Sequence, residues 1–369
     1  MTSRPARRVP LLFTEESRAG DTHVNLSAVR HDGDHLWVAG DETATVERLT
    51  AHVEDGAVVR YDRQVTVALG DLVDLPAGSD EEADVEGLAR AGDHLWAVGS
   101  HSLKRKRIRD RDRDAKARKR LRTVVREENR YVVVRLPVDP ATGLPAREVH
   151  RDGEVLTSAV LAGDDALTEL LADDDLLAPF TAIPSKDNGV DVEGVAVHLT
   201  ADGELRLYLG FRGPVLRGWA VLLETRPVTH PEDPHRLELG KFSDGETGSA
   251  RYRLHLLDLG GLGIRDLCPD GDDLLVLAGP SMSLSGPVRV HRWTGAARTD
   301  AADVVRADQL PVELELPHGD GVDHPEGIAL VPARAPGGRP QLLVVLDSPA
   351  PDRHVPGGML ADVHDLPGR

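Results

Sequence analysis

Carboxylates recur beside glycine along this chain in a pattern suited to holding a cation. Asp84-Val85-Glu86-Gly87 returns as Asp191-Val192-Glu193-Gly194, and acidic residues stand in related places in Arg265-Asp266 and in His324-Pro325-Glu326-Gly327. After the next apolar run come further polar groups: Asp41-Glu42, Ser100-His101, Arg212 and Asp347-Ser348. Brought together, Glu86, Glu193, Asp266 and Glu326 form an oxygen donor set of the kind that Ca²⁺ or Mg²⁺ prefers. Such carboxylates repel one another strongly unless a cation or a shared proton intervenes. His101 is the candidate general base, its reference pKa lying near neutrality. Arg212 supplies a fork of donors for a ligand carboxylate or phosphate. Asp41, Glu42, Ser100, Lys186, Asp191, Arg265, His324 and Asp347 complete the expected ligand-binding ring. The same residues also admit a structural reading, in which Arg212, Arg265, Lys186 and backbone N–H groups neutralise the acids as buried ion pairs between neighbouring units. A Ser-His-Asp assembly lacks the GxSxG turn that raises such a nucleophile. Neither a P-loop nor a dinucleotide fingerprint follows an apolar run, so no nucleotide cofactor is expected.

Residues so far apart meet only if repeated elements carry them. Five similar segments occur: LSAVRHDGDHLWVAGDE from Leu26, VEGLARAGDHLWAVGSHS from Val85, VEGVAVHLTADGELRLYLGFRG from Val192, IRDLCPDGDDLLVLAGPS from Ile264 and EGIALVPARAPGGRPQLLVVLDS from Glu326. Each reads as two strands joined by an Asp- and Gly-rich turn. Taking Ser27, Glu86, Glu193, Asp266 and Glu326 as equivalent, the spacings are 59, 107, 73 and 60. Further strand-like runs follow each pair, and no long amphipathic helix separates them. The pattern predicts an all-β chain forming a single β-propeller domain over residues 1–369, with five blades, or six as the alternative. In a blade the innermost strand and its neighbour run antiparallel, so the start of one and the end of the other lie at the same end of the central channel. The motif residues occupy those positions and are expected to form one polar ring.

Two stretches interrupt the repeat. Residues 104–130 carry 14 basic and 5 acidic side chains in a chain whose formal charge is -18, leaving about -27 on the rest. Residues 155–183 place leucines at helical spacing over an acidic face and predict a short helical insertion. The Pro-rich stretches 226–235 and 331–340 read as loops. The overall charge excludes a generally basic nucleic-acid-coating protein. In the basic insertion, interleaved acids and the lack of aromatic residues also disfavour nucleic acid, leaving a small anionic molecule as the expected partner. No apolar run is long enough for a membrane span, no secretory signal is recognisable and the one cysteine, Cys268, cannot form an internal disulfide, so a cytoplasmic address is expected.

The chain resembles the bacterial proteins grouped under domain of unknown function 3616. The resemblance rests on DVEGLA with GSHSLKRKR, KDNGVDVEGVA with LGFRGPVLRGWA, GIRDL with VLAGP, and PEGIA with LLVVLD, and it runs from about Leu26 to about Ser348. It implies a propeller with a motif-rich central face and no particular activity. The Glu-Gly dipeptide opening the inner strand is also similar to the metal-binding glutamate of the gluconolactonase and regucalcin propellers. That likeness implies a divalent ion polarising a lactone carbonyl or activating water. The functional expectation is a divalent-metal-dependent hydrolase of lactone, ester or phosphoester substrates, with a non-catalytic ligand- or partner-binding scaffold as the alternative.

Overall fold

The computed structural model describes residues 2–79, 81–163, 167–200, 203–242, 250–282, 284–333 and 338–367. Short apolar runs pair into four-stranded antiparallel sheets around a common axis, and the protein is a β-propeller. Blade 1 runs outward from Leu26–Asp32 through His35–Gly40 and Thr45–Glu54 to Ala57–Ala68. Blade 2 contains Val85–Ala91, His94–Gly99, Val133–Asp139 and Ala159–Leu161. Blade 3 contains Asp191–Leu199, Leu205–Gly213, Ala220–Thr225 and Tyr252–Leu257. Gly263–Asp270, Asp273–Gly279, Val288–Trp293 and Val312–Leu316 make blade 4. The five inner strands touch one another in a cycle, the last contacting the first.

Blade 5 explains how the cycle closes. Its three inner strands, His324–Val331, Gln341–Asp347 and Gly358–Asp365, come from the C-terminal part, and its outermost is the N-terminal Arg7–Leu12. Arg7–Leu12 also makes a parallel bridge, Leu11 with Tyr61, to the outer strand of blade 1. Packing between sheets supplies the core. Trp37 and Leu88 belong to one buried cluster between blades 1 and 2, Trp96 and Phe211 to another between blades 2 and 3, and Ile264 and Leu222 to a third between blades 3 and 4. Each such side chain contributes about 1.5–3 kcal/mol by leaving water.

The inner hairpins of blades 1, 2 and 4 share a two-residue Gly-Asp turn. Its glycines, Gly33, Gly92 and Gly271, have φ of +58°, +54° and +65° at the first central position, where II′ hairpins require glycine. Among the described residues no helix is long and apolar enough to cross a membrane.

The interruptions differ from expectation in detail. Lys104–Arg105 pairs with Val124–Val125 to root an arm bearing the helix Asp114–Arg122, which buries no residue. The helical stretch starts later than residue 155, because Ala159–Leu161 is already the outer strand of blade 2; a short helix follows at Leu167–Leu171, and residues 164–166 lie outside the described residues. The first Pro-rich stretch contributes to a hairpin of Pro227–His230 with Asp233–Leu239, since Pro227 opens the first strand and the other prolines lie where no ladder N–H is needed. Part of the second, 334–337, lies outside the described residues.

Candidate functional site

Each inner strand carries a register shift one residue after its start or shortly beyond, and the shifts fall at equivalent places. They bracket Ser27 in blade 1, Glu86 in blade 2, Glu193 in blade 3, Arg265 in blade 4 and Glu326 in blade 5. A bulge re-aims the extra residue, and it does so here in every blade. The sequence alignment placed Asp266 in this set; the register gives that place to Arg265. The correction has a physical cause, because Asp266 occupies the position that Gly87, Gly194 and Gly327 hold elsewhere. Those glycines are close-approach positions: a Cβ on Gly194 would lie 2.9 Å from Leu267 Cγ, and one on Gly87 2.7 Å from Val195 Cγ1.

Asp266 takes part in a different device. Its two oxygens accept from Leu267 N at 2.7 Å and Ile328 N at 2.8 Å, and burial pushes its pKa up to about 7 against the pull of Arg30 and those two donors. Arg30 lies three residues, roughly 10 Å of strand, beyond Ser27. It donates to Leu88 O at 2.8 Å and Leu267 O at 2.7 Å, reaches Val195 O at 3.4 Å, and stands 3.5 Å from Asp266. Together the pair ties all five blades across the axis and floors the ring.

Above that floor the ring divides by charge. Over blades 3 to 5, Arg212 Nη1 meets Glu193 at 2.6 Å and lies 3.8 Å from Asp191. Arg265 bonds Glu326 and lies 3.4 Å from Glu193. The two guanidinium groups hold Glu193 below its ordinary range despite burial, and Glu193 in turn raises Arg212. The structural reading of the sequence is met at these residues.

Over blades 1 and 2 the acids are under-compensated. One oxygen each from Asp41, Asp84 and Glu86 lie within 4.8 Å of one another. Asp84 pairs with Arg130 at 2.6 Å and is hydrogen-bonded by Ser100, yet burial still raises its pKa. Glu86 has neither hydrogen bond nor ion pair among the described residues. Burial first, then Asp84, Glu193, Asp41 and Asp191, push its pKa well up. Asp41 is raised to about 7 by burial and by Asp84, Asp347, Glu42 and Glu326. Asp191, 3% exposed, also rises to about 7, by burial and the nearby Glu193 against Arg212 and Lys186. Asp191 Oδ2 and Glu193 Oε2 are buried without a hydrogen-bond donor. A second group, His324, Glu326 and Asp347, has donor atoms within 4.8 Å of one another, His324 standing 3.9 Å from Asp347. The donorless Asp191 Oδ2 and the predominantly acidic surroundings of Glu86 fit a hard cation.

The remaining expected residues fall as follows. Ser100 Oγ lies 2.9 Å from Ser102 Oγ. Glu42 is exposed and accepts from Asn25 at 3.0 Å, and Lys186 is exposed but near enough to lower Asp84, Asp191 and Glu193. His101 is 1% exposed; its Nδ1 lies 2.8 Å from Gly99 O, its Nε2 has no partner, and burial lowers its pKa to about 4. The ring stays neutral at physiological pH and is positioned as a turn residue rather than at the acidic cluster. Asp84 and His101 both have positive φ, 50° and 51°, so the backbone at this rim is held in the left-handed region that ordinary residues enter at a cost. Sequence reasoning missed Arg130, hidden at the end of the basic run, and Arg30, whose signal was an arginine in the middle of an inner strand, directly after Ala28-Val29.

Solved structures similar to this chain include Myxococcus xanthus glutaminyl cyclase, at 12% identity, covering 100% of each chain with a TM-score of 0.41. An engineered GH43 glycoside hydrolase, at 10% identity, matches 93% of this chain and 50% of its own with a TM-score of 0.38. A putative 6-phosphogluconolactonase from Bacteroides fragilis, at 13% identity, matches 91% of this chain and 82% of its own with a TM-score of 0.31. At such identities and scores these likenesses carry nothing about chemistry. Among curated proteins none matches the chain. Residues 25–362 match the family described as "Protein of unknown function (DUF3616)", and the chain belongs to that family.

Proposed function

We propose that the acidic half of the ring binds one hard divalent cation, Ca²⁺ or Mg²⁺, through Asp41, Asp84 and Glu86, and that the protein is a divalent-metal-dependent hydrolase of a small anionic lactone, ester or phosphoester. The observation that carries this reading is Glu86: a carboxylate pressed by four other acids and held by no hydrogen bond or ion pair among the described residues, in a cluster whose donor atoms lie within 4.8 Å. Bound there, the cation would act as a Lewis acid on a carbonyl or phosphoryl oxygen. Among this chain's own groups Asp191 suits the general base. Its pKa of about 7 matches the working pH, and one of its oxygens is unoccupied by any donor. His101 does not suit that role, being neutral and enclosed. Arg212 and Arg265, each paired with a carboxylate, offset most of the charge on the opposite side of the ring, so an anionic substrate group meets less repulsion there than beside Glu86.

The Arg212–Glu193 and Arg265–Glu326 pairs favour a second reading, a binding scaffold that breaks no bond. A panel of lactones, aryl esters and phosphate monoesters separates the two. The hydrolase reading expects turnover of at least one class with added Ca²⁺ or Mg²⁺, abolished by EDTA and by Glu86→Gln. Absence of turnover across the panel with the cation bound would leave the scaffold.

A further inference from the structure

Apart from its end, where Arg130 pairs with Asp84, the basic arm, residues 104–130, performs no service in the core that accounts for its charge. It is rooted at the rim of the ring, where Lys104 lies 3.8 Å from Glu82, Arg105 pairs with Asp187 at 2.6 Å, and Leu103 O accepts from Ser185 N at 3.0 Å. Glu82 and Asp187 stand on the segments that lead into the inner strands of blades 2 and 3. From that root the helix Asp114–Arg122 projects without a buried residue. From sequence, the arm's interleaved acids weigh against nucleic acid. In the structure Asp112 is used up inside the arm, accepting from Arg109 N at 2.9 Å and pairing with Lys116 at 3.1 Å and Arg120 at 2.7 Å. Eight of the arm's 14 cations, Arg118, Lys119 and Arg122 of the helix among them, have no acidic partner among the described residues.

We propose that this arm binds a linear chain of phosphates, as presented by a nucleic-acid strand or by inorganic polyphosphate. Three features support that chemistry. Arg118 and Arg122 are i,i+4 neighbours on the helix, a like-charge pair that weakens it unless an external anion relieves the repulsion. Six of the eight free cations are arginines, whose planar forks grip phosphate oxygens in pairs. The arm contains no Phe, Tyr or Trp between residues 104 and 130, so bases have nothing to stack on, and recognition is confined to the backbone and blind to sequence. With about -27 on the rest of the chain, a polyanion is repelled everywhere else and contact is restricted to the arm. The inference is independent of the cation site.

The test is fluorescence anisotropy of a labelled oligothymidylate of roughly 20 nucleotides, recorded in EDTA so that a cation at the ring plays no part. Wild type is compared with the triple variant Arg118→Glu, Lys119→Glu, Arg122→Glu, and inorganic polyphosphate and poly-glutamate serve as competitors. Eight phosphate contacts predict a log–log salt slope of about -6 for wild type. The variant is expected to bind at least about tenfold more weakly, with the slope reduced by about 2, and to keep its unfolding midpoint because none of the three side chains is buried or paired. Polyphosphate competes and poly-glutamate does not; whichever of oligothymidylate and polyphosphate binds more tightly identifies the source of the chain. The proposal is overturned if neither phosphate chain binds wild type, if the variant binds as well as wild type, or if poly-glutamate competes as well as polyphosphate, which would mark an acidic protein surface as the partner.

Discussion

Glu86 and Glu193 occupy the same register in neighbouring blades and sit in opposite electrostatic settings. Glu193 bridges two arginines, so Glu193→Gln leaves Arg212 without its principal counter-charge inside the ring. Removing one partner of a buried pair costs about 3–5 kcal/mol, and urea unfolding should show a loss of that order. Glu86 makes no ion pair, and four acids press on it against the pull of Arg130, so neutralising it relieves repulsion. In EDTA, Glu86→Gln should be more stable than wild type by about 1 kcal/mol. The same variant should lose the thermal stabilisation that Ca²⁺ gives wild type. A drop in stability for Glu86→Gln in EDTA would show that an unseen partner already holds that carboxylate.

At the scale of elements, the bulge in each inner strand decides what the ring presents, and the Arg30–Asp266 bridge decides where the ring ends. Arg30→Met strips donors from Leu88 O and Leu267 O and leaves Asp266 without its counter-charge. A loss of about 3 kcal/mol or more is expected in denaturant titration, whereas an unchanged midpoint would contradict the bridge's role. Gly194→Ala brings a methyl against Leu267 and Asp266 at about 3 Å and should cost about 1–3 kcal/mol by overpacking. Much of this level was legible beforehand. Alternating apolar runs, Gly-Asp turns and near-regular spacing identified the inner hairpins of all blades, and with them the convergence of Asp41, Glu86, Glu193 and Glu326. What was not legible depended on single-residue register. A bulge shifts facing by one position without changing composition, which is why Asp266 was aligned where Arg265 stands. Closure by Arg7–Leu12 was equally hidden, because one short apolar run does not announce a partner some 350 residues away.

For the whole molecule, the acidity of the ring sets a pH dependence with a definite sign. Asp41 and Asp191 have folded pKa values of about 7, against ordinary carboxylate values near about 4 in the unfolded chain. A raised folded pKa contributes stability that is complete below the unfolded value and is lost as pH climbs through the folded one. Cation-free protein should therefore show a falling unfolding midpoint between about pH 5 and 8. Glu193, held low, acts oppositely and only at more acidic pH. Ca²⁺ favours the ionised acids, so its stabilising effect should be larger at about pH 8 than at about pH 5.5. Calorimetric titration of Ca²⁺ and Mg²⁺ into chelator-stripped protein addresses the central claim most directly. A single-site isotherm for at least one ion with wild type, absent in Glu86→Gln, is the predicted result; no binding by wild type, or equal binding by the variant, would contradict a cation site at Asp41, Asp84 and Glu86.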